Sequence, residues 1–178
     1  MKTTGFISRQ NASHRVYSAG DLQVRIIRAR SADADTLTAI AFAAKRHWDY
    51  PLHWMEAWRD DLTIRPEFIA GQAQAVYTAQ SAGKAVGFYA LICTDSQAVL
   101  EHLWVLPEAM GRGIGRALFQ HAVQQARSLG AATLEVTADP NAESFYLHMG
   151  ARRVGEKTYQ LEGQRRRLPH LALDIEQT

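Results

Sequence analysis

The sequence has 178 residues, 47% of them hydrophobic, a formal net charge of +2 and one cysteine, Cys93. That length and apolar content suit a single domain with a real core, and the small mixed charge implies neither a nucleic-acid footprint nor a polybasic membrane arm. One cysteine excludes an internal disulfide framework and a cysteine-built metal site. No stretch approaches the roughly 20 apolar residues of a membrane span, and the N-terminal residues lack a signal-peptide core, so a cytoplasmic protein is expected.

Residues 1–20 are polar and without apolar period, which predicts a mobile or loosely docked arm ahead of a domain over residues 21–178. Residues 22–30 alternate, Val24 and Ile26 against Arg25 and Arg28, as a half-buried strand does. Ser31 or Asp33 can cap a helix to about Arg46 that carries Leu37, Ile40, Ala41 and Ala44 on one face. A second helix over residues 52–62 follows in the aromatic centre of the chain, where Trp48, Tyr50, Trp54 and Trp58 lie with Asp49 and Glu56.

Strands are predicted at residues 73–80 and 85–94, joined by the turn Ser81-Ala-Gly-Lys84, and at residues 98–106. Cys93, beside Ala90, Leu91 and Ile92, reads as a buried strand residue. After Pro107 comes Met110-Gly-Arg-Gly-Ile-Gly-Arg116, then a helical apolar period through Leu118, Phe119, Ala122, Val123, Ala126 and Leu129 that ends at Gly130. Residues 133–138 alternate as a strand, Asp139-Pro-Asn opens a short helix that Gly150 closes, and residues 152–161 and 168–175 form a closing hairpin across Gly163. This order implies an α+β fold with a mixed sheet of about seven strands and flanking helices.

The glycine run carries the chemistry. Glycines let backbone amides approach a ligand, and the first amides of a helix have no internal partner, so a strand-to-helix turn of this kind receives phosphate oxygens. Arg112 and Arg116 and the helix dipole favour negative charge there. A Walker loop would need lysine and a hydroxyl where Arg116 and Ala117 stand, and a dinucleotide fingerprint would need glycine at Arg116.

Val105-x-Pro107-Glu108-x-x-Gly111-Arg112-Gly113-Ile114-Gly115-x-x-Leu118 resembles the acetyl-coenzyme A loop of the GCN5-related N-acetyltransferases (GNAT). Asp139-Pro-Asn-Ala-Glu-Ser-Phe-Tyr-Leu-His-Met-Gly150 resembles that family's second signature. Met110 stands where the family usually has Arg or Gln, and Asp139 where it has Asn. The resemblance implies an acetyl-CoA-dependent N-acetyltransferase acting by direct attack of a primary amine in a ternary complex. A non-catalytic acyl-CoA sensor is the alternative.

On this resemblance the cofactor contacts are Leu103, Trp104, Val105, Gly111, Arg112, Gly113, Ile114, Gly115, Arg116, Asp139, Asn141 and Phe145, with the oxyanion donor the amide of Val105 or a neighbour. Tyr146 matches the tyrosine that protonates the leaving thiolate. Strand alternation puts Glu101 with Leu103 and Val105, and an acidic residue in an apolar strand is costly unless paired or used, so Glu101 is the first candidate base and His102 the reserve. Trp48, Tyr50 and Trp54 are the expected acceptor wall, for a small-molecule or peptide amine. Arg165-Arg166-Arg167 reads as a solvated hairpin tip rather than a nucleic-acid patch, and the seven histidines show no metal spacing. No metal, nucleic acid or membrane is expected as partner, and a homodimer is left open.

Overall fold

The computed structural model describes residues 15–19, 22–71, 74–94 and 96–175. Among the described residues eight strands form one sheet: β1 Arg15–Ala19, β2 Leu22–Arg28, β3 Gln74–Ser81, β4 Lys84–Cys93, β5 Gln97–Val105, β6 Thr133–Thr137, β7 Arg152–Leu161 and β8 Gln164–Asp174. Their order is β1-β2-β3-β4-β5-β6-β8-β7, and β5 with β6 is the parallel pair in an otherwise antiparallel ladder. The mixed α+β sheet expected from the sequence is present, with one edge strand added. Residues 15–19, read as part of an arm, pair with β2; residues 1–14 and 20 of that stretch lie outside the described residues.

Helix α1 (Ala34–Arg46), α2 (Leu52–Ala57), α3 (Arg59–Leu62) and α4 (Pro66–Ala70) cover one face of the sheet; α5 (Ile114–Ser128) and α6 (Glu143–His148) cover the other. The core is therefore double. Leu118, Phe119, Ala122 and Ala126 of α5 pack on Tyr89, Leu91 and Leu100, while Leu37, Ile40 and Ala41 of α1 pack with Trp58, Phe88 and Ala90 on the opposite side. Full burial of a leucine or phenylalanine such as Leu118 or Phe119 contributes about 2 kcal/mol. No described helix is long and apolar enough to cross a membrane.

Two predicted elements differ in detail. The helix expected over residues 52–62 is interrupted at Trp58, whose φ of −87° and ψ of 4° lie off the helical values, while Met55, Trp58 and Leu62, at i, i+3 and i+7, keep one buried face. The last strand starts at Gln164 rather than at Leu168. Glu162 and Gly163 have φ of 50° and 76°, the left-handed pair that a two-residue hairpin turn needs, and pairing begins at once with Leu161 opposite Gln164.

Candidate active site

The site originates in a ladder that stops. β5 and β6 pair only from Gln97 opposite Thr133 to Val99 opposite Glu135, after which no pairing joins them. Leu106 donates to the Val86 carbonyl, and Val105 stands opposite Gly87. Because hydrogen bonds alternate along an antiparallel pair, the amides of Leu103 and Val105 point away from β4 and into the gap beside β6. That gap is part of a cavity of about 950 Å³ whose wall includes Leu103, Trp104, Val105, Val136 and Thr137.

β5 reaches this gap through a bulge. Leu100 faces Leu91 and His102 faces Ala90, leaving Glu101 without an opposite residue. The bulge corrects the alternation that grouped Glu101 with Leu103 and Val105. Leu100 and Leu103 both pack on the α5 side of the sheet, so the extra residue between them takes Glu101 out of their row. Glu101 is exposed and lines the cavity, and its side chain makes no hydrogen bond or ion pair among the described residues.

His102 also lines the cavity but is packed against Phe68 and Phe88 at ring distances of 5.8 and 6.0 Å. Its Nδ1 accepts from Trp104 Nε1 at 3.2 Å. Burial lowers its pKa from 6.5 to about 4, which leaves it neutral and a weak base.

The glycine run forms the other end of the cavity. Gly111 and Gly113 have φ of 72° and 82°, and Gly113 caps α5 in the left-handed region, where a side chain is strained. Ala117 is the first residue whose amide closes a helical turn, on the Gly113 carbonyl; the amides from Gly111 to Arg116 have no backbone acceptor among the described residues. A Cβ on Gly111 would meet nothing within 4 Å, so this backbone is open to a ligand. Gly113, Gly115 and Arg116 line the cavity, Arg112 is exposed beside it, and the Ile114 side chain is buried beneath, so Ile114 offers only its amide. Met110 lines the cavity while packing on the core. Unbonded amides, a helix N-terminus and two arginines fit the pyrophosphate of a coenzyme A, and the β5 amides fit an amide-bearing arm.

Tyr146 and Phe145, on α6, close the cavity between these two ends. The Tyr146 side chain packs on Phe119 and Phe145. Burial, with the Asp139 charge adding to it, raises its pKa, so it keeps its proton.

Asp139 precedes α6 and accepts from the Asn141 amide at 3.0 Å. Its Oδ2 holds Lys45 Nζ of α1 at 2.5 Å, and the Tyr50 hydroxyl donates to both its oxygens at 2.9 and 3.0 Å. Burial alone would raise this carboxyl, but Lys45, Asn141 and Tyr50 outweigh it and hold it below the ordinary range. Asn141 Nδ2 turns to Tyr50 and Asp139 as well. Both residues assigned to the cofactor line the cavity, but their polar groups are engaged in this cluster.

The aromatic residues expected to wall an acceptor divide into two groups. Trp48 and Trp58 line the cavity; Tyr50 and Trp54 do not. They are held instead by Arg166, whose guanidinium lies 5.0, 4.7 and 5.0 Å from the rings of Tyr50, Trp54 and Trp58. Arg166 is thus no solvated tip, although Arg165 and Arg167 are exposed. Lys45 lies over Tyr50 and Trp58 at 4.8 and 4.2 Å. Besides the two tryptophans, Lys45, Asp61 and Tyr159, none assigned to the site from sequence, line the cavity. Lys45 was legible as a cation four residues after Ala41 on the apolar stripe of α1; Arg166 shares strand parity with Leu168, which also lines the cavity.

Cys93 is half-buried at the end of β4 and is not among the lining residues. No group of three or more His, Cys, Asp or Glu is placed to hold a metal among the described residues.

The sequence profile of the acetyltransferase (GNAT) domain matches residues 46–165. The chain belongs to the GNAT acetyltransferase family. As a GNAT protein it is a transferase, with a fold that serves acyl transfer from acetyl-CoA.

Solved structures share this fold at low identity. A GCN5-related N-acetyltransferase from Rhodopseudomonas palustris, also described as a class-II aminotransferase, has TM-score 0.67 and 23% identity over 96% of this chain and 100% of its own. PaiA N-acetyltransferase from Thermoplasma acidophilum, in complex with coenzyme A, has TM-score 0.67 and 18% identity over 85% and 98%. The ribosomal-protein-S18-alanine N-acetyltransferase from Escherichia coli has TM-score 0.66 and 19% identity over 87% and 96%. No curated protein matches the sequence significantly.

Proposed function

We propose that this GNAT protein transfers an acetyl group from acetyl-CoA to a primary amine, by direct attack within a ternary complex. The observation that carries the reading is that Tyr146, buried and protonated, lines the same cavity as the free loop amides and the gap in β5. Acetyl-CoA supplies the thioester. The amides from Gly111 to Arg116, with Arg112 and Arg116, bind its phosphates. Leu103 and Val105 present amides along the gap, and the Val105 amide stabilises the oxyanion that develops at the carbonyl. Tyr146 gives its hydroxyl proton to the departing sulfur, and Glu101 receives the ammonium proton of the acceptor through water. Cys93, outside the cavity, takes no part, so no covalent enzyme intermediate forms.

Trp48 and Trp58 form the apolar wall for the acceptor, a small-molecule or peptide amine. Calorimetric titration with acetyl-CoA, followed by a thiol-release assay over amines, amino acids and peptides, tests the reading. Binding and amine-dependent thiol release are expected; an absence of both removes the function. Binding without release on any amine identifies an acyl-CoA sensor instead.

A further inference from the structure

The Lys45 and Asp139 pair is costly to build, and the reaction above does not use it. Both side chains are nearly enclosed, 11% and 12% exposed, and they come from α1 and from the turn ahead of α6, 94 residues apart in sequence. Asp139 caps the Asn141 amide in the turn that opens the helix of Tyr146. Asp139 and Tyr146 line the same cavity, and the Asp139 charge adds to burial in raising the Tyr146 pKa. A carboxylate in the same cavity as a tyrosine that must part with a proton opposes the reaction unless a cation offsets it. Lys45 is bonded to it directly. The remaining groups facing Asp139 are Tyr50 and Asn141, both neutral, while Arg166 lies behind Tyr50 at 3.4 Å from its hydroxyl.

We propose that Lys45 is a positioning residue for Tyr146: through Asp139 it fixes the turn that carries α6 and cancels the carboxylate charge in the cavity they share. The inference rests on the reading of Tyr146 as the proton donor and assigns Lys45 no contact with the reacting atoms. An aspartate at this position, where an asparagine would cap the same turn without charge, makes the lysine necessary. The two residues therefore act as one unit.

The test is a double-mutant cycle on the full chain, with Lys45→Met, Asp139→Asn, the pair together, and Tyr146→Phe as control. The readouts are circular dichroism, KM for acetyl-CoA and kcat with a reactive amine from the panel. Lys45→Met is expected to keep its fold and its KM within about threefold while kcat falls about tenfold or more, since an uncancelled charge weakens the acid. Lys45→Met/Asp139→Asn is expected to recover kcat to within about threefold of wild type, because charge and counter-charge leave together.

A folded Lys45→Met with wild-type kcat overturns the proposal, as does a double variant as slow as the single. If Lys45→Met fails to fold, the double variant decides alone: near-wild-type kcat supports the unit, and a loss of about tenfold contradicts it. Wild-type kcat in Tyr146→Phe sinks the proton-donor reading itself. Loss there with no effect of Lys45→Met sinks only the role of Lys45.

Discussion

A phenol of raised pKa holds its proton at neutral pH but is a weaker acid than a free tyrosine, so the donation proposed for Tyr146 depends on the charges around it. Its hydroxyl is the one group that Tyr146→Phe removes, while the ring contacts with Phe119 and Phe145 stay. Thiol-release kinetics of that variant are expected to show kcat lower by about 10²- to 10⁴-fold with KM for acetyl-CoA little changed; an equal kcat removes the tyrosine from the chemistry. His102 makes a prediction in pH rather than rate. Its folded pKa of about 4 lies below its ordinary 6.5, so between those values the unfolded chain binds a proton that the folded chain refuses. Stability should fall as pH drops through that window, by at most about 3 kcal/mol. Urea unfolding of wild type and His102→Phe across the window checks it: the variant should lose less, and parallel losses would assign the effect elsewhere.

At the scale of elements, the site depends on how closely β4 and β5 approach. A Cβ on Gly87 would stand 2.7 Å from the Trp104 carbonyl and 3.1 Å from Leu118, and the first of these neighbours is backbone that cannot rotate away. Gly87→Ala should therefore cost about 1–3 kcal/mol in unfolding free energy and displace β5 next to the gap. A folded variant with raised KM for acetyl-CoA is the expected outcome; unchanged stability would show that the sheet yields without cost. The elements themselves were legible because apolar period and turn chemistry repeat locally: Ala82 and Gly83, with φ of 48° and 76°, make the hairpin turn that Ser81-Ala-Gly-Lys84 announces. The bulge at Glu101 was not legible. It is a mismatch between two strands, set by how β4 and β5 register, and an alternation read along one strand has no term for it.

Across the whole molecule, Arg166 ties the β7–β8 hairpin to the aromatic wall of α2 and α3, and through Tyr50 to Asp139. The two loop motifs were legible because each is a contiguous string, and the structure brings residues of both to one cavity. Residues 45, 58, 61 and 159 reach the cavity wall from separate elements, and neither the cation stacked on three rings nor the lysine at Asp139 is visible until the chain is folded. Arg166→Leu should lower stability by about 1–2 kcal/mol, whereas Arg165→Ala and Arg167→Ala should each stay within about 0.5 kcal/mol of wild type. Thermal unfolding of the three variants separates a buried anchor from a solvated tip, and equal effects would contradict the anchor.

The most direct test of acetyl transfer at this cavity is thiol release from acetyl-CoA by wild type and Tyr146→Phe, over the amine panel and with product mass measured. The expected result is amine-dependent release by wild type, a product heavier by one acetyl group on nitrogen, and loss of turnover in the variant despite retained acetyl-CoA binding. Release that is independent of amine, or unchanged in the variant, would contradict it.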